Sequence, residues 1–336
     1  MDTKRVLWDS DETCLVTGGA GFVGSHLVRE LIGQGKNVIV YDNNPDLSYL
    51  KDCVDKIKFA YADVSNMADL LGVLAENKVN MVFHLAYLTV PDTDNQTFKA
   101  IQINCAGFQN VMEAARVLKV RRVIWASSQA VYGFAEGYPE GPICEDVHVQ
   151  PTTQYGACKQ FNEHVARFYR QVHGVDNIGF RKPVIYGLGK SRRRDLSISH
   201  LLIENAILGR PLEVPPIDFY ANYLYVKDAV RAYILAAKAL PTEHMIFNIN
   251  GYIHRVSEVV EILRGLNPEL TVVNKKSFDS PNPIDAYNLS PVRARDEIVY
   301  EPAYTLAEGV QDFIKTRDEL GDLYRSSTYE YEVIPL

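Results

Sequence analysis

One stretch, TGGAGFVGSHL, constrains the fold of this 336-residue chain more than any other. It follows the apolar run CLVT (14–17) and opens a segment of helical pattern. Within it Gly18, Gly21 and Gly24 stand at GxxGxxG spacing. A glycine turn lets the backbone approach a pyrophosphate, and a helix N-terminus adds partial positive charge and free N–H donors. A strand before and a helix after are the context such a motif requires. The backbone of Gly18, Gly21, Phe22, Val23 and Gly24 is therefore the candidate cradle for a dinucleotide.

The following segments keep the same rhythm. Strand-like runs are NVIVY (37–41), KIKFAY (56–61), NMVFHL (80–85) and RRVIWAS (121–127), with helical patterns between them. From 98 to 118, Ile101, Phe108, Val111, Ala115 and Leu118 share a face; from 153 to 173, Ala157, Phe161, Val165, Phe168 and Val172 do the same. Such alternation predicts an α/β fold with a doubly wound parallel sheet of the Rossmann type. After about residue 182 the rhythm changes. Helical patterns near 196–208, 227–239, 255–264 and 305–318 are separated by proline-bearing loops such as PLEVPP and FDSPNPID. The reading is a cofactor domain over 1–182, with a return segment around 217–250, and a smaller α/β substrate lobe over most of 183–336. The tail, YRSSTYEYEVIPL, is open between an ordered arm and a frayed end.

Composition excludes several classes. A net charge of −7 argues against nucleic acid and anionic membrane surfaces as partners. No apolar run approaches the roughly 18 residues of a membrane span, and the polar MDTKRVLWDSDETC lacks a signal-peptide core. Five scattered cysteines without a CxxC pair fit reduced thiols in the cytoplasm. The eight histidines show no ligand spacing, so no metal is expected.

The second strand ends in Tyr41-Asp42-Asn43, with Asp42 eighteen residues beyond Gly24. A carboxylate there accepts hydrogen bonds from the adenosine ribose and repels a 2′-phosphate, which favours NAD over NADP. Asp63-Val64, Leu85-Ala86 and Ser127-Ser128 follow the next three strands. Ligands of open α/β sheets lie beyond the carboxyl ends of strands, so these residues fall on the cofactor's side.

Tyr155 and Lys159 lie four apart in QYGACK, on one helix face. A nicotinamide enzyme needs a base at the carbinol oxygen from whose carbon hydride departs. Tyrosine has a pKa of about 10, and bringing it near 7 takes roughly 4 kcal/mol. One cation at about 4 Å supplies about 4 kcal/mol at an effective dielectric near 20. Lys159 can do most of this, and Ser128, twenty-seven residues before Tyr155, would fix the same substrate oxygen.

These residues resemble the extended short-chain dehydrogenase/reductases, in the NAD-dependent epimerase/dehydratase family. TGGAGFVG, HLAY, SSQAVYG, YGACK, RKPVIYG and YVKDA each look like one of its motifs. The resemblance implies that Ser128, Tyr155 and Lys159 form the catalytic triad and that Lys159 also holds the nicotinamide ribose. It implies that Asp63 and Val64 meet the adenine, that Asn104 braces the site, and that two helices pair into a homodimer. The stripes at 98–118 and 153–173 would supply that interface, or would be core.

The departures bear on the reaction. Dehydratases of the family carry Asp-Glu after the hydroxyl residue; Gln129-Ala130 stand here, and neither transfers a proton, so dehydration is rejected. Epimerases usually place an asparagine where Val184 stands and an arginine before YVKDA, where Ala221 and Asn222 stand. In SRRRD, Arg192 and Arg193 are candidates to clamp an anionic substrate, against the alternative of a solvated basic loop. Gln129 and Val184 are further substrate candidates. Three readings stay open: an NAD-dependent oxidoreductase acting on a secondary alcohol of a sugar, sugar acid or small polyol, which the lost asparagine and arginine favour; a UDP-sugar C4 epimerase with tightly bound NAD; and a non-catalytic NAD-binding regulator.

Overall fold

A computed structural model of the chain describes residues 8, 12–90, 92–134, 138, 141–190, 198–276 and 287–320. In chain order its elements are β1 (Thr13–Thr17), α1 (Phe22–Gly33), β2 (Asn37–Asp42), β3 (Ile57–Tyr61), α2 (Met67–Glu76), β4 (Met81–His84), α3 (Asp92–Asn95), α4 (Thr97–Ile101), α5 (Gly107–Leu118), β5 (Arg122–Ala126), α6 (Gln154–His173), β6 (Asn177–Arg181) and β7 (Val184–Tyr186). There follow α7 (Ile198–Ile207), β8 (Leu212–Val214), β9 (Tyr220–Tyr225), α8 (Val226–Lys238), β10 (Ile246–Asn248), β11 (Tyr252–Arg255), α9 (Val256–Leu266), β12 (Val272–Asn274), α10 (Val292–Ile298) and α11 (Leu306–Leu320).

Seven strands form one sheet in the order β10-β6-β5-β4-β1-β2-β3, every pair parallel. Its central strands are short apolar runs because both of their faces are covered. Alternate residues divide between two cores. Val16, Val40, Phe83, Ile124 and Phe180 face α1 and α8, meeting Leu27, Leu31, Ala229 and Tyr233. Leu15, Ile39, Val82, Val123 and Trp125 face α2, α5 and α6, meeting Leu70, Phe108, Val111 and Tyr169. This is the doubly wound Rossmann architecture, with helices on both faces.

The C-terminal lobe is smaller. β7, β9 and β11 form a mixed three-stranded sheet, β8 and β12 a parallel pair, and Leu202, Val259, Leu263 and Phe313 extend the first core into it. The chain returns to the large sheet through β10, which pairs with β6, and α8 caps β5 where Arg122 Nη1 donates to the carbonyls of Ala236 and Ala239 at 2.6 and 2.8 Å.

Two helices differ from the pattern that periodicity suggests. Between α4 and α5, residues Gln102–Ala106 form a π turn, so the apolar stripe of 98–118 breaks: Phe108, Val111 and Ala115 are buried, whereas Phe98 and Ile101 are exposed. In α6 the apolar stripe points outward. Phe161, Phe168 and Val172 are exposed, while Tyr155, Cys158, Lys159, Asn162, Glu163 and Tyr169 are buried. Thr153 caps α6, its Oγ1 accepting the Gly156 N–H at 3.0 Å.

Candidate active site

β1 and β4 are neighbours, but α1 packs on one face of the sheet and α5 on the other. A cleft opens at their carboxyl ends, at the topological switch point. Gly18, Gly21, Phe22, Asp42, Asn43, Asp63, Val64, Leu85, Ala86 and Tyr87 all line it. Gly18 turns here with φ +67°, and a Cβ on it would stand 2.9 Å from the Leu85 and Ala86 backbone. A Cβ on Gly24 would stand 2.1 Å from Gly18 O. The turn thus presses backbone against backbone and brings the first turn of α1, which no side chain caps, to the cleft. Val23 lies half-buried in that turn.

Asp42 closes one side. Its Oδ2 accepts the Ala20 N–H and its Oδ1 the Asn44 N–H, both at 3.0 Å, so the carboxylate is fixed beside the glycine turn. Asn43 Nδ2 donates to Asp63 Oδ2 at 2.9 Å. Burial raises the Asp63 carboxyl, but the N–H and hydroxyl of Ser65, the Asn43 amide and Lys99 together hold it below the usual carboxylate range. Val64 is buried against Gly107, and its carbonyl accepts from Asn110. A glycine cradle that a methyl would fill, an uncapped helix start and an anchored carboxylate at the end of β2 fit an unphosphorylated dinucleotide such as NAD.

The second half of the site sits at the ends of β5 and β6. Lys159, nearly fully buried, donates from Nζ to the carbonyl of Ala126 at 2.7 Å. Tyr155, one turn earlier, packs its ring 6.0 Å from that of Tyr87. The Lys159 ammonium lies 5.6 Å from the Tyr155 ring centroid and 3.9 Å from the Tyr87 ring centroid, so two phenols share the cation. Burial pushes Lys159 down to about 7; Tyr87 opposes that shift and Lys182 adds to it. Ser128 Oγ accepts the Ala130 N–H at 3.1 Å, which opens a 3₁₀ turn over Gln129–Tyr132. Asn104, in the π turn, clamps the loop after β4: its Oδ1 accepts the Leu88 N–H at 2.8 Å and its Nδ2 donates to Leu88 O at 3.0 Å.

Three groups here escaped the sequence reading. Tyr87 follows β4 and meets the cation of α6. Lys182, buried just after β6, donates from Nζ to Tyr87 OH at 3.0 Å. Glu163 accepts from Ser127 Oγ at 2.7 Å and from Arg181 Nε and Nη2 at 2.9 and 2.7 Å, riveting α6 to β5 and β6 behind the site. The spacing of Tyr155, Lys159 and Glu163, four and four, was the available signal: three polar residues on one helix face imply a buried polar face.

The substrate candidates are scattered. The Gln129 N–H donates to Lys182 O at 3.1 Å, and Gln129 Oε1 is buried without a hydrogen-bond partner among the described residues. Val184 lies half-buried in β7, paired with Tyr223 of β9. Arg192 and Arg193 lie outside the described residues.

A doubly wound sheet with a glycine turn at its switch point defines the dinucleotide-binding α/β enzymes. Residues 14–249 match the NAD dependent epimerase/dehydratase family. The chain belongs to that family, whose members are enzymes with NAD as cofactor. It is 30% identical over 309 residues to a UDP-glucose 4-epimerase of Mycolicibacterium smegmatis, covering 88% of this chain and 95% of that one. Among solved structures, the UDP-glucose 4-epimerase of Thermotoga maritima superposes with a TM-score of 0.82 at 24% identity, over 92% of this chain and 99% of that one, which speaks for the fold. MoeE5, solved with UDP-glucuronic acid and NAD, superposes with a TM-score of 0.76 at 28% identity, over 92% of this chain and all of the other.

Proposed function

We propose that the protein is an NAD-dependent epimerase acting at a secondary alcohol of a nucleotide-linked sugar. The observation that carries this reading is the buried Lys159 ammonium, held by Ala126 O at 2.7 Å one turn from Tyr155 and 3.9 Å from the ring centroid of Tyr87, a residue that lines the cleft beginning at Gly18. Several relatives of this length and identity are UDP-glucose 4-epimerases, which weighs for epimerisation over the net oxidation that the residues Val184, Ala221 and Asn222 favour.

NAD, when bound, supplies the hydride acceptor. Gly18, Gly21, Phe22, Val23 and Gly24 would offer backbone to its pyrophosphate, Asp42 and Asn43 would hold its adenosine ribose, and Asp63 and Val64 would meet the adenine. Leu85 and Ala86 line the floor of the cleft. Tyr155 takes the proton from the substrate hydroxyl and returns it. Lys159 stabilises the phenolate and would hold the nicotinamide ribose, Ser128 would orient the substrate oxygen, and Asn104 keeps the loop of Tyr87 and Leu88 in place. Residues 1–182 with the return through 217–250 serve the cofactor, and most of 183–336 serves the sugar.

Net oxidation is the second reading, favoured by the absent asparagine and arginine. Purified holoenzyme given UDP-sugars separates the two. Isomer formation with no net gain in ultraviolet absorbance of the reduced cofactor is expected. Stoichiometric reduced cofactor without an isomer would overturn epimerisation in favour of the dehydrogenase.

The outward apolar stripe of α6, with Val172 60% and Phe168 52% exposed, and Phe98 at 75% on α4, support a homodimer through these helices. A monomer by sedimentation at micromolar concentration would sink that assignment. The acidic chain, in which no described helix is long and apolar enough to cross a membrane, supports a cytoplasmic setting.

A further inference from the structure

Two buried ammonium groups converge on one phenol, that of Tyr87, which lines the cleft. Lys159 lies over the face of Tyr87, 3.9 Å from the ring centroid; Lys182 reaches the hydroxyl of the same residue at 3.0 Å and lies 5.1 Å from the centroid. Both lysines are more than nine-tenths buried, at 1% and 7% exposure. Among the described residues no carboxylate pairs with either: Lys159 donates to a carbonyl and Lys182 to a phenol. A charge in this environment is costly unless it is matched. Bound NAD would add the positive nicotinamide ring.

The site therefore holds an excess of positive charge around Tyr87, and no carboxylate among the described residues supplies its counter-ion. Lys182 is not needed to make Tyr155 acidic, since Lys159, 5.6 Å from the Tyr155 ring centroid, already supplies a cation. It is locked in place instead: its carbonyl accepts the Gln129 N–H at 3.1 Å, which ties it to the turn that begins at Ser128. The hydroxyl that Lys182 meets belongs to Tyr87, which lines the cleft and whose ring centroid lies 6.0 Å from that of Tyr155.

We infer that Lys182 and Tyr87 form a carboxylate-recognition site and that the substrate is an acidic sugar, a nucleotide-linked uronate, rather than a neutral one. This rests on the proposed hydride-transfer chemistry at Tyr155. In a pyranuronate the carboxylate is borne by the carbon next to C4. A C4 hydroxyl on Tyr155 therefore brings the carboxylate to its immediate surroundings. There it neutralises the lysine charge and accepts from the Tyr87 hydroxyl, with the geometry of charge-assisted hydrogen bonds. A neutral hydroxymethyl group leaves both ammonium groups unmatched, which is the stronger source of discrimination.

The test uses the NAD-loaded protein with UDP-glucuronate and UDP-glucose, followed by product NMR, with the Kd of each measured by calorimetry. The wild type is expected to turn over the acid with a kcat/KM at least about 30-fold above that of the neutral sugar. Lys182→Met should reduce that ratio by about 30-fold, through KM and Kd, and Lys182→Arg should retain most of it. Tyr87→Phe, which keeps the ring, should lower the ratio by a smaller factor of about 5. Equal use of acid and neutral sugar, or an equal loss for both in Lys182→Met, would overturn the acidic-substrate inference and leave the proposed chemistry standing. No turnover of either sugar by protein that binds NAD would overturn the proposed chemistry itself, and the inference with it.

Discussion

Lys159 Nζ donates to Ala126 O at 2.7 Å and is enclosed so completely that burial brings its ionisation to about 7. In the unfolded chain a lysine ionises at about 10.4. Between those limits the unfolded state binds the extra proton, so stability rises with pH across this window. The slope from this one group is roughly 1.4 kcal/mol per pH unit. Urea denaturation of NAD-free protein at pH 7.5 to 9.5 (~2 units) should show wild type gaining on Lys159→Met by about that slope. A pH-independent difference would mean that Lys159 keeps an ordinary pKa.

Gly18 has φ +67°, and its α-carbon faces the peptide joining Leu85 to Ala86. Gly18→Ala places a methyl 2.9 Å from that backbone in a strained conformation. Calorimetry should show NAD binding weakened by at least about tenfold, with a stability loss of about 1–2 kcal/mol. Undiminished NAD affinity would remove the turn from the cofactor site.

The Asp42 carboxylate is anchored by Ala20 and Asn44 at the end of β2. Asp42→Ala should weaken NAD by about tenfold and leave NADP less affected, since a repelling charge leaves together with a hydrogen-bond acceptor. The ratio of the two dissociation constants reports it. An unchanged ratio would show that Asp42 does not meet the ribose.

Much of this was legible in the residues. β1, β2, β4 and β5 are apolar runs bounded by polar turns because both faces of the sheet are covered, and the position of Asp42 at the end of β2 follows from the length of one strand–helix–strand unit. The facing of α6 was not legible. Periodicity locates an apolar stripe at Phe161, Phe168 and Val172, but it does not tell whether the stripe meets the core, and here the buried side is the polar one. Tyr87 and Lys182 lie in loops after different strands, ninety-five residues apart, and only the parallel pairing of the sheet brings them together. The break at Gln102–Ala106 depends on a change of hydrogen-bond register within a helix, which leaves no mark in the hydrophobic pattern.

Glu163 holds Arg181 and Ser127 behind the site. Glu163→Gln leaves the Arg181 charge buried without its carboxylate and should cost roughly 3–5 kcal/mol of stability. Urea unfolding checks this, and a loss below about 1 kcal/mol would mean that the pair is solvated or replaceable.

The central claim is that the Tyr155 phenol transfers the proton. Tyr155→Phe removes one oxygen and leaves the ring against Tyr87. With NAD and the preferred sugar nucleotide, single-turnover rates measured beside NAD affinity should show a rate lower by about 10²–10⁴-fold and an NAD dissociation constant within about threefold of wild type. Turnover within tenfold of wild type, with NAD bound, would contradict the account.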